Sequence, residues 1–484
     1  MNENSVEQVP ADVSAVVLRL LDGWRPSGPS LRPPTQFLWA GEDMSSQARE
    51  VVINGDILEV RTEDVLERFF DHERRGALRN KPFEGTLDDG SNFAADSAHL
   101  EMDRASGHYW TVTHPERPAR LWVAPVHGVD SLWGAGNLSV TRTETGADGS
   151  RTVRNSHQHH RFEGAYTYYL IKAGVTDDEA AWFILVDTGG TAPPTRDQVY
   201  PDTLALQFVL GRGFHFEVLY GVDATHQVVA LVGGSHGRDH GKRGQTQAPV
   251  PHDLCVEHWP SLLFTAISEE YRRRPNLRLY IALSYYLDAL VSFHVENRYL
   301  VLHVALEGLS YWLLGGDDGA EQPLVDKSKW RGWLKERQTE IMGLAVEGQE
   351  TALFNKITSV PKRRASSRVV QDAFASSGIG LHLTDEMALE LDEDGRGLIV
   401  HAAVMFKESQ DEVDAYTRRI ALVRTMLVAL VARIVGYRGA ITGWDREPGR
   451  PYGEPDPGWW PINDAARVAA RRRYSVTNAS PVVV

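Results

Sequence analysis

The feature that most constrains the fold is a change of hydrophobic period near the single cysteine, Cys255. Before this point, short runs rich in Val, Tyr, Phe and Trp are separated by Gly, Asp and Pro, which is typical of strands joined by turns. After it, apolar residues recur every three to four positions, as in amphipathic helices. The sequence therefore predicts an α+β protein, in which a β-rich N-terminal domain precedes an all-α helical bundle.

Individual strands can be predicted in the first half. The stretch Val51 to Val60 reads VVINGDILEV and predicts a hairpin, because Asn54-Gly55 favours a type I′ turn. Two short helices are expected among the strands, at Glu63 to Phe70 and at Thr203 to Leu210. The further predicted strands are Arg120 to Val126, Tyr166 to Lys172, Trp182 to Asp187, Phe214 to Tyr220 and Gln227 to Val232.

The helices of the second half follow from their apolar stripes. Glu296 to Leu314 is the clearest, and Gly315-Gly316 ends it. Its stripe consists of Tyr299, Leu302, Leu306, Leu309 and Leu313. Four more helices are predicted, at Leu277 to Phe293, at Lys327 to Leu344, after the N-cap candidate Thr384, and at Asp411 to Val435.

Composition shifts suggest four segments. We expect a β-rich regulatory or sensor domain at 1–232 and a helical domain at 255–440. The polar, Gly-rich stretch 233–254 is predicted to be a linker. The tail, 441–484, is rich in Gly, Pro and Trp and has several arginines near its end, at 467 and 471–473.

Charge and cysteine usage limit the possible partners and compartments. The net charge is −14, so the chain is not a globally basic nucleic-acid binder. Residues 1–254 hold 35 Asp or Glu and 23 Lys or Arg, whereas residues 255–484 hold 30 and 28. A polyanion is therefore expected to meet the C-terminal half, through local patches. One cysteine cannot form an intrachain disulfide, and the first residues resemble no signal peptide, so we expect a cytoplasmic protein that binds no membrane.

Two motifs in the first half were weighed for chemistry. The pentapeptide Gly233-Gly234-Ser235-His236-Gly237 has the spacing of a nucleophile elbow, but the sequence after it does not predict the required helix. His157, His159 and His160 could contribute to a zinc site. No cysteine or second histidine pair accompanies them, so a polar strand or turn is the favoured interpretation and no cofactor is expected.

The favoured catalytic candidates are Arg396 and His401. A histidine titrates near neutrality and can accept the proton of a ribose 2′-hydroxyl, whose oxygen then attacks the adjacent phosphate. An arginine presents a planar fork of donors that stabilises the negative charge of the pentacovalent phosphate. This chemistry needs no metal, leaves a 2′,3′-cyclic phosphate and a 5′-hydroxyl, and spares DNA.

Spacing alone does not single out this pair. Arg-x(4–6)-His occurs six times in the chain, including Arg298/His303 inside a strongly apolar helix. Arg396 is flanked by Gly395 and Gly397, which favour a helix break where both side chains could converge. Context therefore favours Arg396/His401.

This region resembles a known family. The stretch 255–440 is similar to a HEPN domain, whose hallmark is Arg-x(4–6)-His near the start of a late helix. The segment Arg298 to Leu314, with ALEGL at Ala305 to Leu309, is similar to the earlier helix of that domain. The layout of a β-rich domain followed by this bundle resembles ApeA-like bacterial anti-phage ribonucleases.

The resemblance implies a function and an assembly. It implies an endoribonuclease that acts in abortive infection, a homodimer in which two motifs form one composite site, and an N-terminal domain that restrains the enzyme until a phage-derived trigger arrives. Glu307 would then support the motif arginine. The basic patch Lys362, Arg363, Arg364 and Arg368 suggests an RNA contact, with tRNA among the candidate substrates.

A second interpretation remains open. Gly397 stands where the family usually has a polar residue, and some HEPN modules only dimerise or bind RNA or protein. The chain could therefore be a non-catalytic module whose β-rich half recognises a ligand. The two interpretations differ in whether Arg396 and His401 perform chemistry.

Overall fold

A computed structural model gives the architecture of most of the chain. The chain forms two compact units, Met1–Glu269 and Glu270–Val484. The residues described are 10–27, 33–46, 48–62, 81–96, 98–100, 104–128, 138–145, 151–173, 181–190, 192–237, 248–249, 259–292, 294–315, 326–359, 366–377, 410–437 and 441.

The first unit is dominated by β-strands. In chain order the described strands are β1 (Pro34–Trp39), β2 (Glu42–Asp43), β3 (Ala48–Asn54), β4 (Ile57–Thr62), β5 (Phe83–Leu87), β6 (Asn92–Ala95), β7 (Ala98–Leu100), β8 (Arg104–Gly107), β9 (Trp110–Thr113), β10 (Leu121–Pro125), β11 (Leu138–Thr145), β12 (Arg151–Glu163), β13 (Thr167–Ala173), β14 (Ala181–Asp187), β15 (His215–Val222) and β16 (Val228–Gly237).

These strands form two sheets. The larger has twelve described strands in the order β11-β12-β13-β14-β10-β15-β16-β9-β6-β5-β1-β2. The smaller has the order β3-β4-β8-β7. The ladders that join neighbours are antiparallel, for example Leu121↔Asp187 between β10 and β14. The chain is thus a mixed α+β protein with a large antiparallel sheet, as the coarse sequence prediction stated.

Helices accompany the sheet and make up most of the described second unit. In chain order they are α1 (Ala11–Leu21), α2 (Arg196–Leu210), α3 (Trp259–Arg273), α4 (Leu279–Val291), α5 (Val295–Leu313), α6 (Lys327–Gly343), α7 (Glu350–Ser359), α8 (Ser366–Ser376) and α9 (Gln410–Ile434).

The centre of the large sheet is buried on both faces. In β14, Phe183 and Leu185 pack in one cluster with the apolar face of α1, which includes Val13 and Val17. The alternate residues of β14 point to the opposite face, because strand side chains alternate. They are buried as well, and Phe264 of α3 covers part of that face through edge-to-face contacts with Phe162 and Tyr168.

The hairpin predicted around Asn54-Gly55 is confirmed, with a different turn. Strands β3 and β4 pair with Asn54 opposite Ile57, so the loop residues are Gly55 and Asp56. Only Gly55 of the two has a positive φ, at +61°. A type I′ turn needs positive φ at both positions, and the observed pattern is that of type II′.

The start of the predicted linker is part of a strand. Gly233–Gly237 continue β16, and Gly233 pairs with Trp110 of β9. The indole of Trp110 lies over Gly233, where a Cβ atom would come within 1.9 Å of the ring. Gly234 has a φ of +129°. Glycine is thus required at Gly233 by close packing and at Gly234 by backbone conformation, so these residues do not indicate a flexible linker. Residues 238–247 lie outside the described part of the chain.

Helix α2 is longer than its sequence predicts. The predicted helix began at Thr203, yet the helix starts at Arg196 and includes Pro201. From Val199 to Val209 almost every residue is buried, so packing compensates for the one hydrogen bond that a proline removes. Gly211, in the left-handed conformation, ends the helix. The helices predicted at Glu63 to Phe70 and after Thr384 lie outside the described residues.

A buried carboxylate ties α2 to the start of α3. Asp202 is 2% exposed, and its Oδ2 accepts a hydrogen bond of 2.7 Å from the backbone N–H of Ala165. Its Oδ1 accepts a hydrogen bond from the hydroxyl of Ser268. One turn earlier, Thr265 donates to the carbonyl of Glu163 at 2.8 Å. These bonds fix α3 to the turn that follows β12.

In the part of the chain that the structure describes, no helix is both long enough and apolar enough to cross a membrane.

The buried histidine of β12 makes a pH-dependent contribution to stability. Burial lowers the pKa of His160 from 6.5 to about 4, and its Nε2 has no hydrogen-bond partner among the described residues. Below pH 6.5 the unfolded chain therefore binds a proton that the folded chain does not. Stability is complete above that pH and is lost as the pH falls toward 4, by up to ~3 kcal/mol.

We expect the free energy of unfolding of His160→Phe to fall less between neutral and acidic pH than that of the wild type. The measurement is the free energy of unfolding in urea at about pH 7 and about pH 5 for the wild type and the variant. The control is His226→Asn, at a turn residue whose positive φ asparagine tolerates. An unchanged acid dependence in His160→Phe would show that His160 is not its source.

Candidate functional site

Helix α5 is the centre of the second unit. It packs against α4, α8 and α9, which places its side chains between several elements. The predicted stripe is observed, since Tyr299, Leu302, Leu306 and Leu309 are at most 2% exposed. Leu313, the last member, is half-buried. The helix therefore forms where the 3.6-residue period indicates, and its other face is available for polar groups.

Two polar residues of α5 lie one turn apart. His303 is completely buried, and Glu307, whose side chain is 29% exposed, lies at its edge. The distance from His303 Nδ1 to Glu307 Oε2 is 3.9 Å. The ring of His303 also contacts that of Tyr299 at a centroid distance of 5.8 Å. Glu307 is thus partly buried.

A buried arginine on α9 is a second polar feature of this core. Arg424 is 6% exposed, and burial lowers its pKa. The positive charge of Arg298 lowers that pKa further, whereas Tyr286 of α4 raises it. Tyr286 is fully buried, which raises the pKa of its hydroxyl, and the charge of Arg424 opposes that rise. The side chains of Tyr286 and Arg424 therefore lie near each other in the core.

The structure excludes Arg298/His303 as an alternative catalytic motif. Arg298 and His303 also fit Arg-x4-His, but the guanidinium Nε of Arg298 donates to the carbonyl of Ser292 at 2.6 Å. His303 has no exposed surface. A general base for RNA must reach a ribose hydroxyl, so a fully buried imidazole cannot act on a polymeric substrate in this conformation. This pair is a structural part of α5.

The predicted catalytic and RNA-binding residues are only partly within the described chain. Arg396 and His401 fall in 378–409 and lie outside the described residues, as do Lys362, Arg363 and Arg364. Arg368 is described, and its side chain is 64% exposed on α8. Its Nε lies 3.4 Å from Asp372 Oδ1, so this cation is already paired with an acid one turn away. Of the proposed sites, the structure therefore describes Glu307 and Arg368.

The histidines weighed for zinc lie in a strand. His157, His159 and His160 all belong to β12, as the favoured interpretation expected. The pKa of His160 is about 4 because of burial. Among the residues that the structure describes, no three or more His, Cys, Asp or Glu side chains converge as a metal site would require. Gly233–Gly237 likewise form a strand and not a strand-to-helix elbow.

Helix α6 has an aromatic surface that was not predicted from the sequence. Trp330 and Trp333 stack with ring centroids 5.0 Å apart and planes inclined by 13°. Their spacing of three residues puts them on one side of the helix. In the sequence, Lys329 and Arg331 flank Trp330 directly, and Arg331 and Lys335 lie two residues from Trp333. Two tryptophans at this spacing within a basic helix were the signal that could have revealed it.

Comparison of the chain with protein-family models, curated proteins and solved structures finds no match.

The interaction between Tyr286 and Arg424 can be measured by a double-mutant cycle. We expect Tyr286→Phe and Arg424→Met to be coupled by about 1 kcal/mol in the free energy of unfolding. The reason is that the hydroxyl and the guanidinium that they remove lie near each other in the core. A matched cycle pairs Tyr286→Phe with Arg433→Met, on the same helix, where Arg433 instead donates to the carbonyl of Ser377. Additive effects in both cycles would show that Tyr286 does not interact with Arg424.

Proposed function

We propose that the chain is a metal-independent endoribonuclease of the HEPN type that acts in bacterial anti-phage defence by abortive infection. The observation on which the proposal depends is the pair Arg396/His401 in the helical half. Both residues fall between the end of α8 at Ser376 and the start of α9 at Gln410. The hallmark of that family is an Arg-x(4–6)-His motif near the start of a late helix.

The helices around this segment support the proposal. Both α8 and α9 pack against α5, and α5 contains Glu307. The segment that contains the motif therefore leaves and rejoins the same three-helix packing. Since Glu307 is partly exposed, its carboxylate can accept a hydrogen bond from a guanidinium at the surface of α5. In this proposal Glu307 positions Arg396.

The chemistry follows from the two catalytic side chains. His401, as a neutral imidazole, accepts the proton of the 2′-hydroxyl, and the 2′-oxygen attacks the adjacent phosphorus. Arg396 donates to the phosphate oxygens and stabilises the added negative charge. The bond from phosphorus to the 5′-oxygen breaks, and that oxygen takes up a proton from water and leaves as a 5′-hydroxyl, while His401 returns its proton to the solvent. The other product ends in a 2′,3′-cyclic phosphate.

Several features of the proposal rest on the family resemblance. They are a cytoplasmic homodimer with a composite site, a first unit that acts as sensor or regulator, and a phage-derived trigger. The contact with RNA, for which tRNA is one candidate, is assigned to Lys362, Arg363, Arg364 and Arg368. Supporting this, the one described member, Arg368, is largely exposed.

A non-catalytic HEPN module is the second candidate. The observation that favours it is Gly397, which stands directly after the motif arginine, where a polar side chain is usual. Such a module would dimerise and bind RNA or protein, while the first unit would sense a ligand. It predicts RNA binding without cleavage.

The proposal is tested by digestion of total bacterial RNA with EDTA present. We expect the wild type to cleave and to leave cyclic phosphate ends, and His401→Ala and Arg396→Ala to lose at least ~100-fold of the rate, as removal of a general base does. Glu307→Gln should cause a smaller loss. RNA whose 2′-hydroxyls are replaced by hydrogen should stay intact.

The matched control is His294→Ala, at an exposed histidine of the second unit. It should cleave like the wild type. If His401→Ala also cleaves like the wild type, His401 is not the base. If no protein cleaves, the assay is repeated in lysate from phage-infected cells, where a restrained enzyme becomes active. Absence of cleavage there, with RNA still bound, would instead support the non-catalytic module.

A further inference from the structure

Helix α6 has an exposed aromatic surface, which we name the tryptophan shelf and define as Lys329, Trp330, Trp333 and Arg337. The helix begins at a well-formed cap, because Asp326 accepts hydrogen bonds from the backbone N–H groups of Ser328 and Lys329, both at 2.9 Å. Trp330, Trp333 and Arg337 follow at spacings of three and four, so they stand above one another on one side.

The shelf is a stack of flat groups. The indoles of Trp330 and Trp333 are offset with centroids 5.0 Å apart and nearly parallel planes. The guanidinium of Arg337 lies 5.3 Å from the centre of the Trp333 ring. The stack therefore ends in a planar cation, which itself pairs with Glu340 at 3.7 Å. An aromatic ring or guanidinium plane is the kind of surface on which a nucleobase stacks.

The shelf is accessible. Trp333 is 39% exposed, which is unusual for a tryptophan in a folded protein. Among the described residues of α6, only Leu334 and Ile341 are buried. A Cβ atom built on Gly332 would meet nothing within 4 Å, so the helix surface at Gly332 is open.

The charge of α6 differs from that of the chain. The helix contains five Lys or Arg and two Glu, whereas the whole chain has a net charge of −14. Lys329 lies one turn before Trp333, and its side chain is exposed. A polyanion that meets this acidic protein is therefore attracted locally to the helix that displays the two tryptophans.

We propose that the tryptophan shelf binds single-stranded RNA, with an unpaired base stacked on the outer plane of Arg337, where it extends the stack of Trp330, Trp333 and Arg337, and with phosphates near Lys329 and Arg337. The inference rests on the proposed ribonuclease function, for which it supplies a docking surface for unpaired substrate segments. Flat groups and cations along one strip are the combination that single-strand binders use. An acidic peptide would satisfy the cations but would leave the end of the stack without a flat partner, and a duplex hides its base planes.

The test measures binding separately from cleavage. The probe is a fluorescein-labelled 2′-O-methyl oligouridylate of about 12 nucleotides, which has no free 2′-hydroxyl to attack and so stays intact. Binding to the full chain is followed by fluorescence anisotropy. We expect Trp333→Leu to raise the dissociation constant about 5- to 100-fold, the range for loss of one base stack, because the Arg337 plane loses the ring that supports it. Trp333→Phe should change the dissociation constant less than about threefold.

Salt dependence tests the cations. Arg337→Gln and Lys329→Gln should each reduce the slope of log affinity against log salt by about 0.7, the value for one phosphate contact on a single strand. The matched control is Lys335→Gln, because Lys335 lies about 160° around the helix from Trp333. Its variant should bind nearly as the wild type does. A duplex of the same length should bind more weakly than the single strand.

Three results would overturn the assignment. The wild type does not bind the probe, Trp333→Leu binds it with wild-type affinity, or Lys335→Gln and Arg337→Gln lose affinity equally. Cleavage of natural RNA is scored separately. If the shelf variants lose binding but no protein cleaves RNA, the binding surface stands and the nuclease proposal fails. If cleavage depends on His401 but the shelf variants bind normally, the nuclease proposal stands and the assignment of the binding surface fails.

Discussion

A guanidinium in the core constrains the packing of the second unit. Arg424 is held at 6% exposure in a stretch of α9 that is buried on nearly all sides. An arginine cannot lose its proton to avoid that environment, and desolvation of a charge costs on the order of several kcal/mol. The side chain of Tyr286 lies near this guanidinium, and the like charge of Arg298 adds to the cost. A slip of α9 by one residue would turn Arg424 away from Tyr286, so the helices have one register.

This register bears on the proposed chemistry. The ends of α8 and α9 that bound the motif segment are set by how both helices pack against α5. Glu307 belongs to the same helix as the buried stripe, so its position along α5 relative to the ends of α8 and α9 is fixed too. The proposed site therefore depends on a core that contains no catalytic residue. A substitution in that core would change activity through position, with the reacting groups themselves intact.

Much of the fold could be predicted because its elements have regular patterns. The strands β10, β13, β14 and β15 are short, apolar and bounded by turn residues, and α5 and α9 have clear apolar stripes. Other elements could not be found this way. Strand β12 includes the polar run Asn155 to Arg161, whose pairing depends on neighbouring strands. Likewise α2 contains a proline that tertiary packing tolerates. The candidate site was predicted by chemistry and resemblance, and burial then distinguished Arg298/His303 as structural, which no spacing rule could do.

The contact between Trp110 and Gly233 has an evolutionary consequence. The two residues face each other across β9 and β16, and the indole fills the space that any side chain at position 233 would need. A related chain that retains the tryptophan must therefore retain the glycine, and a larger residue at 233 can be accepted only after the ring at 110 has become smaller. In a set of related sequences these two positions should covary, although six described strands of the large sheet, β10 to β15, separate them along the chain.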